Sequence, residues 1–304
     1  MSLTIQAIVL LAAGFLMMRG VQVLQENLRT VEAIQKLRLS MSSLAYVAPI
    51  MLFIFFAAGR ITTAEMILPF VIGFNLLMYG VVFAYSVMSR TMTSLADVSR
   101  SVVLPMMLTY SLVMLSAIDG DIDRFEAVVM LVFGSVLWFG ISARIPDAAE
   151  AVSVPHTFVQ AILFTLIAVV AVYLGIHYVF AGVLFFSVSY TLSLVFLALT
   201  TVPFVLALPL IVATFSLSRQ GQGALAITQM IWLTLVITLW CIGIAGSSTP
   251  LSTATPTIES GLWYVVLFVA TTILGLLSGT TERLGGGMLF LLFIFCMVKL
   301  VTEL

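Results

Sequence analysis

The sequence predicts an all-α membrane protein of ten transmembrane helices in two inverted five-helix repeats, and three observations predict it. First, 62% of the 304 residues are apolar and 8% are charged, with a mean hydropathy of +1.24. That leaves too little polar surface to cover a soluble globule. Second, ten apolar stretches fall near 3–22, 41–59, 66–88, 101–118, 125–143, 158–177, 190–217, 224–246, 260–277 and 284–302. Each is long enough for a hydrocarbon layer of about 30 Å, which takes about 20 residues. Third, a segment recurs. "DGDIDRFEAVVMLVFG" from Asp119 and "SGTTERLGGGMLFLLF" from Ser278 align at an offset of 159 residues, placing Gly120, Asp123 and Arg124 on Gly279, Glu282 and Arg283. Five spans per repeat is an odd number, so the second copy must enter the membrane from the opposite side.

The repeats are expected at 1–143 and 158–304, joined by a linker at 144–157. "SARIPDAAEAVSVPHT", which runs across that linker, carries two prolines and most of the central charge. The first stretch starts at Ser2 with neither a basic n-region nor a small-residue cleavage site, so it is expected to be a retained span and not a signal peptide. After it, "QENLRTVEAIQKLRLS" from Gln25 spaces Glu26, Arg29, Glu32 and Lys36 three or four residues apart, interleaved with Leu28, Ile34 and Leu37. This pattern suits an amphipathic extension of the first span at the cytoplasmic face, either a solvated helix end or a helix that binds a partner.

Basic residues set the expected orientation. Arg29, Lys36, Arg38, Arg90, Arg100, Arg144, Arg219 and Arg283 fall in or beside odd-numbered loops, against Arg60 and Arg124 in even ones. The positive-inside rule then puts odd loops in the cytoplasm and both termini outside.

Two long apolar runs hold a proline at their middle: Pro49 in "AYVAPIMLF" and Pro209 in "VLALPLIVA", related by nearly the repeat offset. Inverted repeats whose helices break near the midplane are the plan of many secondary transporters, with the binding site at the breaks. Proline is also tolerated in membrane helices for packing alone.

These residues resemble the sodium/calcium and cation/calcium exchanger superfamily. In that family each five-span repeat carries a GTSLPE-like segment followed by a GNxxGSNxxN-like segment. "LPLIVATFSLSRQGQGALAITQMIWLTLVITLWCIG", residues 208 to 243, is similar to the second-repeat pattern without a gap: Leu208 and Pro209 fit Leu-Pro, Arg219 and Gly221 the basic loop, and Gly243 a later glycine. "VIGFNLLMYG" from Val71 keeps the glycine and one asparagine of the first GSN element as Gly73 and Asn75. The resemblance implies an exchanger-like fold over essentially the whole chain.

The positions that the resemblance assigns to ion ligands are mostly altered. Ile50 and Leu210 stand where the family has its two glutamates, Thr228 and Gln229 replace the second Gly-Asn, and Trp232, Leu233 and Thr234 replace the second GSN. Calcium takes six to eight oxygens, several of them from carboxylates. All thirteen Asp and Glu residues fall in loops or at span ends. The former ion-site positions Pro49, Ile50, Gly73, Asn75, Pro209, Leu210, Thr228, Gln229 and Thr234 are therefore expected to hold no metal.

Two functions stay open. One is a transporter with a changed, weakly polar substrate held by Asn75, Gln229, Thr234, Thr200 and Thr201. The other is a non-transporting subunit or scaffold of a larger membrane complex, in which such residues serve as hydrogen-bond glue between helices. An enzyme is not expected, since no span pairs a histidine with an acid or a cysteine. No cofactor is expected, and neither is nucleic acid, because no phosphate-binding glycine loop or basic stripe occurs. The expected partners are the lipid bilayer and other membrane subunits. Cys241, Cys296, His156, and His177 at a span end are expected to be structural.

Overall fold

A computed structural model describes residues 3–35, 41–58, 65–88, 96–142, 158–278 and 283–304. It is almost entirely helical. The helices are α1 (Leu3–Gln35), α2 (Leu44–Ala58), α3 (Ile67–Leu77), α4 (Ala84–Met88), α5 (Ala96–Ala117), α6 (Arg124–Ser142), α7 (Phe158–Tyr190), α8 (Leu194–Leu199), α9 (Thr201–Arg219), α10 (Gly223–Ser248), α11 (Pro256–Ser278) and α12 (Arg283–Thr302). A π-helical segment, Met78–Phe83, joins α3 to α4. Among the described residues, seven helices are long and apolar enough to cross a membrane, while Leu44–Ala58 and Val102–Ala117 are apolar but shorter. The protein is an integral, multi-pass membrane protein.

Local chemistry sets the helix ends. The α6 terminus carries a reciprocal capping box: the Glu126 amide donates to Asp123 Oδ1 at 2.8 Å and the Asp123 amide donates to Glu126 Oε2 at 3.1 Å. Helix α9 stops in a Schellman motif, with Gly221 at φ +80°, Gln222 N–H donating to Leu217 O and Gly221 N–H donating to Ser218 O. Two short strands, β1 (Asp121–Ile122) and β2 (Leu251–Ser252), pair antiparallel with Asp121 opposite Ser252. Thr253 N–H donates to Gly120 O at 2.7 Å beside them, which lashes the loop before α6 to the loop before α11.

Several sequence expectations are corrected. Helix α2 runs unbroken through Pro49 and α9 runs unbroken through Pro209. Proline removes one helix hydrogen bond, and the packed neighbours hold the helix together across the gap. The discontinuity lies instead at Thr200 (φ −110°, ψ −67°), between α8 and α9. Helix α7 continues to Tyr190 and not to 177, so His177 sits inside it, and the next helix starts at Leu194 and not at 190. His156 and the linker lie outside the described residues.

Burial separates centre from rim. The run Ile67–Met88 is 94% buried and Gly223–Ser248 is 78% buried, against 33% for Ile8–Arg29 and 28% for Val159–Tyr190. Lipid tails are as apolar as leucine, so close van der Waals contact through small residues must hold such helices together. Helices α1 and α7 pack reciprocally. A Cβ on Gly20 would stand 3.1 Å from both the Ala168 carbonyl and the Val172 amide, and one on Gly175 would stand 2.9 Å from the Ala13 carbonyl and 3.0 Å from the Met17 amide.

A second pair of contacts repeats at the sequence offset of 159. A Cβ on Gly243 would lie 2.9 Å from Ala127 O, and one on Gly286 would lie 2.8 Å from Ala84 O. Ala84 and Gly243 are 159 apart, as are Ala127 and Gly286. Nearby, Gly134 receives the Trp240 ring, as Gly80 receives the Phe293 ring.

Candidate functional site

The positions that the resemblance assigns to ion ligands come from four helices, α2, α3, α9 and α10, each of which touches the other three. Ile50 is 0% exposed and Leu210 2% exposed. On the same helices Phe53, Phe70, Trp232 and Ile237 are also buried in the apolar core. Leucine and isoleucine offer no oxygen to a cation. Pro49 and Pro209 lack an N–H, so Ala45 O and Val205 O accept no i+4 helix hydrogen bond.

Gly73 is fixed by a close approach. A Cβ there would fall 1.9 Å from the carbonyl oxygen of Leu199, at the break between α8 and α9. Pro203 cannot donate to that carbonyl, so the end of α8 and the α3 backbone press together where helix bonding is interrupted.

Asn75 is buried, and both ends of its amide are engaged. Its Nδ2 donates to Val71 O at 2.8 Å and to Thr238 Oγ1 at 2.9 Å. Its Oδ1 accepts the Tyr110 hydroxyl and lies 3.2 Å from Thr238 Oγ1. The Tyr110 and Tyr79 hydroxyls are 3.0 Å apart. Tyr110 has one proton and Asn75 Oδ1 offers none, so the proton between the two tyrosines is that of Tyr79.

Three of the remaining polar candidates are turned back on their own helices. Thr234 Oγ1 donates to Met230 O and Thr228 Oγ1 to Ala224 O, both at 2.8 Å, and Thr200 Oγ1 donates to Phe196 O at 2.7 Å. Thr201 Oγ1 lies 3.4 Å from Thr200 Oγ1. Gln229 is half-buried. The structure thus brings Asn75 together with Tyr79, Tyr110 and Thr238, and not with Thr234. Sequence spacing carried part of this signal, because Tyr79 and Thr238 each lie one helical turn beyond a named candidate, Asn75 and Thr234. Tyr110 comes from another helix and had no such marker.

Elsewhere, Cys241 and Cys296 are buried, and exposed His177 packs its ring near Phe56 and Tyr173. Among the described residues, no group of three or more His, Cys, Asp or Glu is placed to hold a metal ion.

No family model and no curated protein matches the sequence. Solved structures do match in fold. The H+/Ca2+ exchanger CAX superposes with a TM-score of 0.80 at 15% identity, over 96% of this chain and 82% of that one. The sodium-calcium exchanger NCX_Mj, soaked with 2.5 mM Na+ and 0.1 mM Ca2+, superposes with a TM-score of 0.71 at 13% identity, over 98% of this chain and 99% of that one. The chain has the fold of these exchangers, which are transporters and not enzymes.

Proposed function

We propose that this chain is a membrane protein of transporter fold, ten spans in two inverted five-helix repeats, that has lost the divalent-cation site. Buried Ile50 and Leu210, in the four-helix cluster where the family resemblance places glutamates, carry the proposal. The ten spans follow if α3 and α4 count as one through the π segment, and α8 and α9 as one across Thr200. The contacts repeated at an offset of 159 and the reciprocal α1–α7 seam support the inverted arrangement of 1–143 and 158–304. Both termini face outside, on the bias of the basic residues.

Calcium binding tests the proposal directly. A ligand held at 100 times its Kd adds about 2.7 kcal/mol to stability. Thermal unfolding of the detergent-solubilised protein should be unmoved by millimolar calcium or strontium. A rise in Tm that saturates with calcium and is abolished by Leu210→Ala would overturn the proposal.

A non-transporting subunit of a larger membrane complex is the alternative, favoured by the saturation of Asn75 and the back-bonded threonines, which leave few free groups for a solute. A stoichiometric complex from native membrane in mild detergent would support it.

A further inference from the structure

We propose that the exposed face of α1 docks a transmembrane helix of another protein, and that this helix brings a carboxylate to Arg19. The inference stands whether or not the four-helix cluster binds a cation. Arg19 lies at the middle of the apolar span Ile8–Arg29. The neighbouring helix fixes its level. Gly20 packs against Ala168 and Val172, and Gly175 against Ala13 and Met17, so α1 and α7 run antiparallel with Arg19 level with Ala171. At 1.5 Å per residue Ala171 stands about 18 Å from Val159 and about 28 Å from Tyr190, the two ends of the apolar stretch of α7. A tilt of about 40°, the steep end of the usual range, still leaves about 14 Å to the nearer end.

A charge at this depth is costly, and membrane helices normally turn it inward to a partner or to a water-filled cavity. Arg19 faces outward. It is exposed, in line with the exposed Leu11, Phe15 and Val23 at four-residue spacing, while Met17 and Gly20 turn to α7. Its guanidinium lies over the Phe15 ring, 5.6 Å from the centroid, and its Nη1 donates to Gln22 Oε1 at 3.3 Å. Both contacts are neutral. Phe15 stands one turn towards the N-terminus, so the side chain is not drawn out to the polar end of the helix at Glu26 and Arg29.

Charge complementarity names the occupant. Among the described residues Arg19 meets no carboxylate, and all thirteen Asp and Glu residues of the chain fall in loops or at span ends. The counter-charge comes from another molecule. A second copy of this chain offers no acid at that depth, and lipid phosphate lies at the bilayer surface, beyond the end of the apolar stretch. A carboxylate carried on another span meets both conditions. The planar guanidinium can grip it with two parallel hydrogen bonds, while Leu11, Phe15 and Val23 supply apolar contact along the same stripe.

The test places a photoreactive amino acid at Leu11 or at Val23, which flank Arg19 on the stripe, with exposed Leu291 of α12 as the control position. The full chain is irradiated in its native membrane and the adducts are identified by mass spectrometry. One protein with an Asp or Glu inside a span should be captured from both stripe positions and not from Leu291. Arg19→Leu should cut the yield at least tenfold, Arg19→Lys should restore part of it, and changing the partner's acid to its amide should cut it as Arg19→Leu does. The Tm of the purified protein should be unchanged or raised by Arg19→Leu, because the guanidinium supports nothing else in the chain. Adducts with lipid alone, with a second copy or with a protein that lacks an intramembrane acid would overturn the proposal, as would a yield that Arg19→Leu leaves unchanged. A Tm lowered by Arg19→Leu would also overturn it, by making Arg19 a support of the fold.

Discussion

Gly73 presses its backbone onto the Leu199 carbonyl, so closely that a Cβ would overlap the oxygen at 1.9 Å. The obstacle is backbone on both sides and cannot rotate away. Gly73→Ala should therefore destabilise the protein by at least the usual overpacking penalty of about 1–3 kcal/mol. Unfolding in mixed micelles measures it, and a neutral result would mean that α3 and α8 separate freely.

Asn75 and Thr238 should couple energetically. Asn75→Leu leaves the Tyr110 hydroxyl and Thr238 Oγ1 without their partner in the core and should cost about 1–3 kcal/mol. Thr238→Val should cost less, about 0.6 kcal/mol, the average for a hydrogen bond between membrane helices. In a double-mutant cycle the two changes should be less than additive. Strict additivity would contradict the contact.

The reciprocal seam between α1 and α7 gives a symmetric expectation. Gly20→Ala and Gly175→Ala each push a methyl into the opposite backbone, at 3.1 Å and 2.9 Å, so their costs should be similar, about 1–3 kcal/mol each. The double variant should cost less than the sum, because the first methyl has already parted the helices. Very unequal single effects would argue against reciprocal packing.

The β1–β2 lash holds the loops before α6 and α11 together, so on the proposed orientation they share the outer side. Asp121→Cys and Ser252→Cys should both label from outside with an impermeant reagent, and Arg90→Cys only from inside. Labelling of Arg90→Cys from outside would reverse the assigned orientation.

Much of the all-helical membrane fold was legible because hydropathy marks membrane spans. The offset read from Asp119 and Ser278 reappears in the contacts of Ala84, Gly243, Ala127 and Gly286. The helix break was misplaced because Pro49 and Pro209 stand at the middle of their runs, while the break at Thr200 lies three residues before Pro203 and near the start of its run. The length of α7 was missed for want of punctuation, since no charged residue occurs between Phe158 and Ser218. At the site, the apolar character of Ile50 and Leu210 could be read directly, and both are buried. The partners of Asn75 could not, because Tyr110 and Thr238 are 35 and 163 residues away and only tertiary packing brings them together.

Transport in reconstituted liposomes is the most direct measurement of the central claim that the exchanger fold here holds no divalent-cation site. With a sodium gradient and separately with a proton gradient, radioactive calcium uptake should match empty vesicles, and Leu210→Glu alone should not raise it, because Ile50 and the bound amide of Asn75 leave most of the coordination shell empty. Gradient-driven calcium uptake clearly above empty vesicles, by the unmodified chain or by Leu210→Glu alone, would contradict it.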